Sequence, residues 1–143
     1  MLPRVLIVDD HQLVRKGIGF LLDGQWDICG EAENGQEAVL KVGELKPDVV
    51  ILDLSMPIMG GTAAARHIRR VSPATKIVFL SMHESETVVE LTRLAGADAC
   101  LTKRCTPQEL NRAIATVLRD HGDPRPDADS PHAGQSALRL FEP

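Results

Sequence analysis

Apolar and polar positions along this chain fall into a strand-like and helix-like alternation that repeats five times. Val5-Leu6-Ile7-Val8 is a short, nearly all-apolar, β-branched run, the pattern of a strand buried on both faces. Two acids follow, and then Leu13, Val14, Ile18, Leu21 and Leu22 recur at helical spacing. Ile28 to Ala32 reads as a weaker strand at a sheet edge. Asn34-Gly35-Gln36-Glu37 opens a helix, with Asn34 as its cap and Glu37 three residues on, and Ala38, Val39, Val42 and Leu45 form its apolar face. Val49-Val50-Ile51-Leu52 is the second buried-strand run and ends at Asp53. Met56-Pro57 and Gly60-Gly61 punctuate a loop, and a helix follows near 62–71. Ile77-Val78-Phe79-Leu80 is the third strong strand and ends at Ser81. A helix over 84–95 and a strand over 97–101, ending near Lys103, come next. Thr106-Pro107-Gln108-Glu109 is a helix start with a Thr cap, Pro in the first turn and Glu at the third position. Leu110, Ala113, Ile114, Val117 and Leu118 line one face of that last helix.

Strands alternating with helices predict a parallel sheet covered on both faces. Five such units give an α/β, flavodoxin-like (βα)5 doubly wound fold, with a five-stranded parallel sheet in the order 2-1-3-4-5. The composition shifts after Arg119, where Pro124, Pro126 and Pro131 stand among Asp, Ser and Gly. Residues 1–121 are therefore read as one domain and 122–143 as a flexible linker or tail. The last stretch, Ser136 to Pro143, is too short to be a domain.

A length of 143 residues supports one proper core. The net charge of −4 and the absence of a Lys/Arg-rich run argue against direct nucleic-acid contact. No apolar run approaches a membrane span, and the apolar start of the chain is too short for a signal peptide and ends in Asp9-Asp10. A cytoplasmic protein with no membrane contact is expected. Cys29, Cys100 and Cys105 are odd in number and lack metal-ligand spacing, which points to reduced thiols.

In open parallel sheets, sites form at the carboxyl ends of the strands. Those ends carry Asp9 and Asp10, then Asp53, Ser81 and Lys103, and the expected strand order gathers them into one cleft. Three carboxylates packed together repel one another, so a cation must hold them ionised. An all-oxygen donor set suits Mg²⁺. A carboxylate beside such a metal is a nucleophile for an activated phosphoryl group. Lys103 can pair with Asp53 and then with the phosphoryl charge, and the Ser81 hydroxyl can hydrogen-bond a phosphoryl oxygen. Each residue alone has a simpler explanation. Strand-end acids cap helices or form turns, as Asp10 would for the first helix, and a lone Lys is usually a solvated charge. Four strand ends carrying an acid pair, an acid, a hydroxyl and a Lys, in that order, are harder to reach by accident. Gly17, Gly19 and Gly24 do not form the G-x-G-x-x-G phosphate cradle of a nucleotide-binding domain.

These residues resemble the receiver domain of bacterial two-component response regulators, over about residues 3 to 120. The strings around Val8-Asp9-Asp10-His11, Asp53-Leu54-Ser55-Met56-Pro57, Leu80-Ser81-Met82-His83 and Leu101-Thr102-Lys103 look most like its NarL/FixJ (LuxR-type) branch. The resemblance implies that Asp53 is the phosphoacceptor. It implies that Asp10, Asp53 and the backbone carbonyl of Ser55 ligate Mg²⁺, with Asp9 acting through metal-bound water, and that Ser81 and Lys103 bind the phosphoryl group. The donor would be a phosphohistidine on a sensor histidine kinase. The protein would catalyse only its own phosphorylation and dephosphorylation, and is not expected to be an enzyme acting on a separate substrate. Two positions depart from the pattern. Cys100 stands where the family usually has a Tyr or Phe that rotates on activation, and Arg104 stands where many members have Pro. The NarL/FixJ branch normally ends in a helix-turn-helix DNA-binding domain. Transcription control through such a domain, absent from this chain, is the expected output.

Further expectations attach to single residues. His83, two residues after Ser81, together with Ser55, is expected to modulate how fast water removes the phosphoryl group; an exposed loop His is the simpler alternative. The helix over 84–95, the fifth strand and the last helix form the face that a homodimer would use, with solvated helix surface as the simpler alternative. His11 reads as a first-turn helix residue, Trp26 as a partly buried anchor, and Met56, Met59 and Met82 as packing. Two other functions stay open. One is a receiver-like interaction module with altered switching through Cys100. The other is an Asp-nucleophile phosphatase, although the haloacid-dehalogenase type wants a second acid where Ser55 stands.

Overall fold

The three all-apolar runs become the three central strands of one sheet. A computed structural model describes residues 1–83, 85–119 and 138–141. In it, β1 (Arg4–Val8), β3 (Val49–Asp53) and β4 (Lys76–Ser81) lie side by side, with every residue of β3 buried. Helices α1 (Gln12–Leu22), α2 (Gly35–Leu45), α3 (Gly61–Val71), α4 (Glu86–Leu94) and α5 (Pro107–Leu118) alternate with them and with β2 (Asp27–Ala32) and β5 (Ala99–Thr102). Successive side chains of a strand point to opposite faces, which divides the core into two layers. Leu6, Val8, Val50, Leu52, Ile77 and Phe79 meet Ala38 and Val42 of α2 and Ala64, Ala65 and Ile68 of α3. Val5, Ile7, Val49, Ile51, Val78, Leu80 and Leu101 meet Ile18 and Leu22 of α1 and Leu110, Ala113, Ile114 and Val117 of α5.

The first five strands are parallel in the expected order, with β2 at one edge as its weaker pattern indicates. A sixth strand, β6 (Arg139–Leu140), extends the sheet antiparallel to β5. It falls in the stretch read as linker or tail. The rest of that stretch, like Glu84, lies outside the described residues.

The starts of α2, α4 and α5 follow their capping residues. The Asn34 side chain accepts from the Glu37 N–H at 2.8 Å, and Thr106 and Glu109 complete a reciprocal capping box. Ser85 accepts from the Val88 N–H at 3.1 Å, which sets the first turn of α4 at Glu86 instead of the expected residue 84. β5 begins two residues later than the pattern indicated, because the end of α4 still uses that backbone. Gly96 turns at φ 96° and the Ala97 N–H donates back to Thr92 O at 3.1 Å. Trp26 is the half-buried anchor expected of it; its Nε1 donates to Asn111 Oδ1 of α5 at 2.7 Å.

Candidate functional site

Parallel register gathers the strand ends. Val8 lies opposite Leu52, Asp53 opposite Leu80, and Ser81 opposite Thr102, so Asp9, Asp53, Ser81 and Lys103 emerge at one end of adjacent strands. Asp9, Asp53 and Ser81 are all buried. The Lys103 ammonium reaches between two of the acids, 2.7 Å from Asp9 Oδ2 and 3.1 Å from Asp53 Oδ1. The other Asp9 oxygen accepts the His11 N–H at 2.9 Å, and the Asp9 carbonyl accepts from Arg15 at 2.6 Å. Ser81 Oγ accepts the His83 N–H at 3.1 Å.

Asp10 is in a different position. Its Oδ1 is buried and has no hydrogen-bond partner, although the His11 Nδ1 lies 3.1 Å away at ion-pair distance. A buried carboxylate oxygen without a donor is costly. It does not cap α1 either, because the N-cap is His11 and no side chain caps that end. One ligand atom from each of Asp9, Asp10 and His11 lies within 4.8 Å of the others. Two carboxylate oxygens and an imidazole nitrogen crowd here, and the unpartnered Asp10 oxygen fits a hard divalent cation.

The charge balance points the same way. Burial pushes the Asp53 carboxyl above the ordinary Asp range; the Lys103 hydrogen bond opposes this, and the Asp9 and Asp10 charges add to it. For Lys103, burial works against the charged form, but the hydrogen bonds and charges of Asp9 and Asp53 outweigh it, and its pKa rises. Asp9 and Asp53 thus share one ammonium, with the Asp10 carboxylate close by and partly open to solvent.

The loop between β3 and α3 is held against this site by close backbone approach. The Gly61 N–H donates to Leu54 O at 2.8 Å, and a Cβ on Gly61 would stand 2.2 Å from Asp53 O. Gly35 donates to Met59 O at 2.9 Å from the other side. Ser55 lies in this loop with its side chain exposed. His83 is likewise exposed, and its backbone links it to Ser81. Cys100 is buried away from the acids, opposite Phe79 on β4, and burial raises its thiol pKa against a hydrogen bond with Thr92.

The sequence reading did not single out the parts that His11 and Arg15 play. His11 joins the acids, and Arg15 bridges the Asp9 carbonyl and Glu31, to which its Nε donates at 2.8 Å. Adjacency to the acid pair was the available signal for His11. For Arg15 it was a position one helical turn further on.

A family model for the response regulator receiver domain matches residues 5–115. The chain belongs to the response regulator receiver family. Among curated relatives of this receiver, the response regulator GacA of Pseudomonas viridiflava is 38% identical over 143 residues, covering 98% of this chain and 64% of that protein. The response regulator UvrY of Escherichia coli (strain K12) is 41% identical over 141 residues, covering 97% of this chain and 63% of that protein. This receiver chain therefore spans less than two thirds of these relatives' length. Among solved structures, a LuxR-family two-component response regulator from Aurantimonas sp. SI85-9A1 superposes with a TM-score of 0.78 at 35% identity, covering 82% of this chain and 86% of that one. The receiver domain of the response regulator NarL from Mycobacterium tuberculosis does so with a TM-score of 0.78 at 31% identity, over 82% and 96%. Among the described residues, no helix is long and apolar enough to cross a membrane.

Proposed function

We propose that this receiver is a phosphorylation-controlled switch in a two-component phosphorelay, with Asp53 as phosphoacceptor. The observation that carries the reading is the buried, donorless Asp10 oxygen beside the Asp9 and Asp53 carboxylates, which share a single Lys. Asp10, Asp53 and the backbone carbonyl of Ser55 would hold Mg²⁺, with Asp9 acting through a metal-bound water. When bound, the ion neutralises the charge of the transferring phosphoryl oxygens.

The remaining steps belong to the chain's own groups. An Asp53 carboxylate oxygen attacks the phosphorus of a phosphohistidine on a sensor histidine kinase. The new O–P bond forms as the N–P bond breaks, and the imidazole leaves with the electron pair. Lys103, now shared between Asp9 and Asp53, turns its ammonium to the phosphoryl oxygens, and the Ser81 hydroxyl donates to another of them. The kinase needs a docking surface beside Asp53. Exposed Leu13 and Phe20 of α1, the helix that starts from the acid pair, provide an apolar one. Ser55 and His83, both exposed at the rim, set how fast water removes the phosphoryl group. The protein works in the cytoplasm without contacting DNA itself, and controls transcription through a helix-turn-helix domain that these 143 residues do not include.

The test is intact mass after incubation with Mg²⁺ and acetyl phosphate or phosphoramidate. One added phosphoryl group on the wild type, absent without Mg²⁺ and absent in Asp53→Asn, is expected. No adduct, with no beryllofluoride binding either, would sink the reading in favour of an interaction module. Phospho-lifetimes of His83→Ala and Ser55→Ala equal to wild type would remove those two residues from it.

A further inference from the structure

Beyond the acidic pocket, the sheet carries a second built feature at its far edge. α5 ends at Leu118, yet residues 138–141 return as β6 along the outer side of β5. Ala99 pairs with Leu140 and Cys100 with Arg139, and the Phe141 N–H donates to Asp98 O at 2.9 Å. The side chains alternate as a docked strand requires. Leu138 and Leu140 pack on the α5 side of the sheet, against the layer that holds Ala99, Leu101 and Leu110. Phe141 packs on the α4 side, against the layer that holds Ala95, Ala97 and Cys100. Arg139, on that same side, pairs with Glu86 of α4 at 3.2 Å. Four residues therefore grip both faces of the sheet and a flanking helix.

The receiving edge is shaped for this. An edge strand offers a row of backbone N–H and C=O groups to any extended chain. β5 is only four residues long, and the small residues Ala95, Ala97 and Cys100 form a shelf on the α4 side of this edge. One aromatic ring from an added strand lies on that shelf.

We propose that the outer edge of β5, between α4 and α5, is a strand-acceptor site, and that residues 138–141 of the same chain are its occupant. The ligand class is an extended peptide of apolar, basic, apolar and aromatic residues, added antiparallel. Tethering places the chain's own segment at an effective concentration of the millimolar order, so it outcompetes a free strand of the same sequence. Occupied, the edge is closed to strand addition by another chain. The inference does not depend on phosphoryl transfer at Asp53.

The test uses the 143-residue chain with Arg139→Pro and, separately, Phe141→Ala. Proline removes the backbone N–H that faces Cys100; alanine removes the ring and leaves the backbone intact. Amide exchange at Cys100 is expected to be at least about tenfold faster in both variants, with β1 and β3 protection unchanged as the control for folding. A synthetic peptide of residues 136–143 should then shift the NMR signals of β5, α4 and α5 in Arg139→Pro, and leave the wild type unshifted at the same concentration. Cys100 exchange equal in wild type and both variants would overturn the proposal, as would a peptide that shifts nothing in Arg139→Pro. In a mixed-isotope sample, contacts from Phe141 to Ala97 should arise within one chain. Contacts arising between chains would overturn the assignment of the occupant.

Discussion

The two ends of the sheet treat buried polar groups in opposite ways. At the amino end, each is matched. Ser72 Oγ and Thr75 Oγ1 lie 2.7 Å apart, and Thr75 donates to Pro47 O at 2.9 Å. Arg69 spreads its guanidinium over the carbonyls of Gly96 and Thr75 and the Asp98 carboxylate, and Asp98 also accepts the Ile77 N–H at 2.8 Å. At the carboxyl end, Asp9 and Asp53 share one ammonium, and an Asp10 oxygen has no hydrogen-bond partner. At one end the buried polar groups pair with one another; at the other a buried carboxylate oxygen has no hydrogen-bond partner. Polar satisfaction, compared within one molecule, separates structural polar groups from functional ones without knowledge of the ligand.

The largest effect should come from the backbone that holds the acidic end together. Gly61→Ala puts a methyl group against Asp53 O, and we expect a loss of about 3 kcal/mol in urea unfolding. Gly43→Ala meets only ordinary contact with Val71 at 3.5 Å and sits inside α2. It should be neutral or stabilising by up to about 0.5 kcal/mol. Equal losses in the two would break the contrast. Next is the amino end, where Thr75→Val strands the Pro47 carbonyl and should cost about 2 kcal/mol.

The opposite sign is expected at the acids. Asp53→Asn removes one of three crowded charges and should stabilise the metal-free protein by about 1 kcal/mol. Added Mg²⁺ should raise the Tm of the wild type more than that of the variant. A destabilised Asp53→Asn in metal-free buffer would mean that the carboxylates are already balanced.

The smallest effect calibrates the others. Glu37, half-buried on α2, is held below the ordinary Glu range chiefly by the hydrogen bond from Lys41, 2.9 Å away. Glu37→Gln should cost about 0.4 kcal/mol at neutral pH, as a solvent-screened i,i+4 pair does. A depressed carboxyl stabilises the fold above its unfolded pKa and stops doing so as pH falls through its folded value. The difference between the two proteins should therefore shrink as pH falls below about 4.3, the unfolded Glu value, and vanish below the depressed folded value. A difference that persists there would show that packing, not charge, is responsible.

The sequence revealed the centre of the molecule better than its margins. β1, β3 and β4 are legible because burial on both faces leaves no polar interruption, and their parallel order is what gathers Asp9, Asp53, Ser81 and Lys103. The start of β5 was less legible, because the turn at Gly96 decides where α4 releases the chain. β6 was not legible. Leu138-Arg139-Leu140-Phe141 alternates correctly but is four residues long, and what makes it a strand is the edge it meets, far away in sequence. Arg15 was missed for a similar reason: its partner is the Asp9 carbonyl, a backbone atom that no motif names.

β5 has a consequence of a mechanical kind. Ala99 to Thr102 is about 13 Å of extended chain, at about 3.3 Å per residue. The ammonium that senses the acids hangs from the residue just after it, and the docked tail lies along its flank. Sensor and strap share a single short rod. Ala99 lies opposite Leu140 and Cys100 opposite Arg139, and the Phe141 N–H donates to Asp98 O, so the tail is attached along the same strand that leads to Lys103. The acidic end and the docked tail thus meet on one strand.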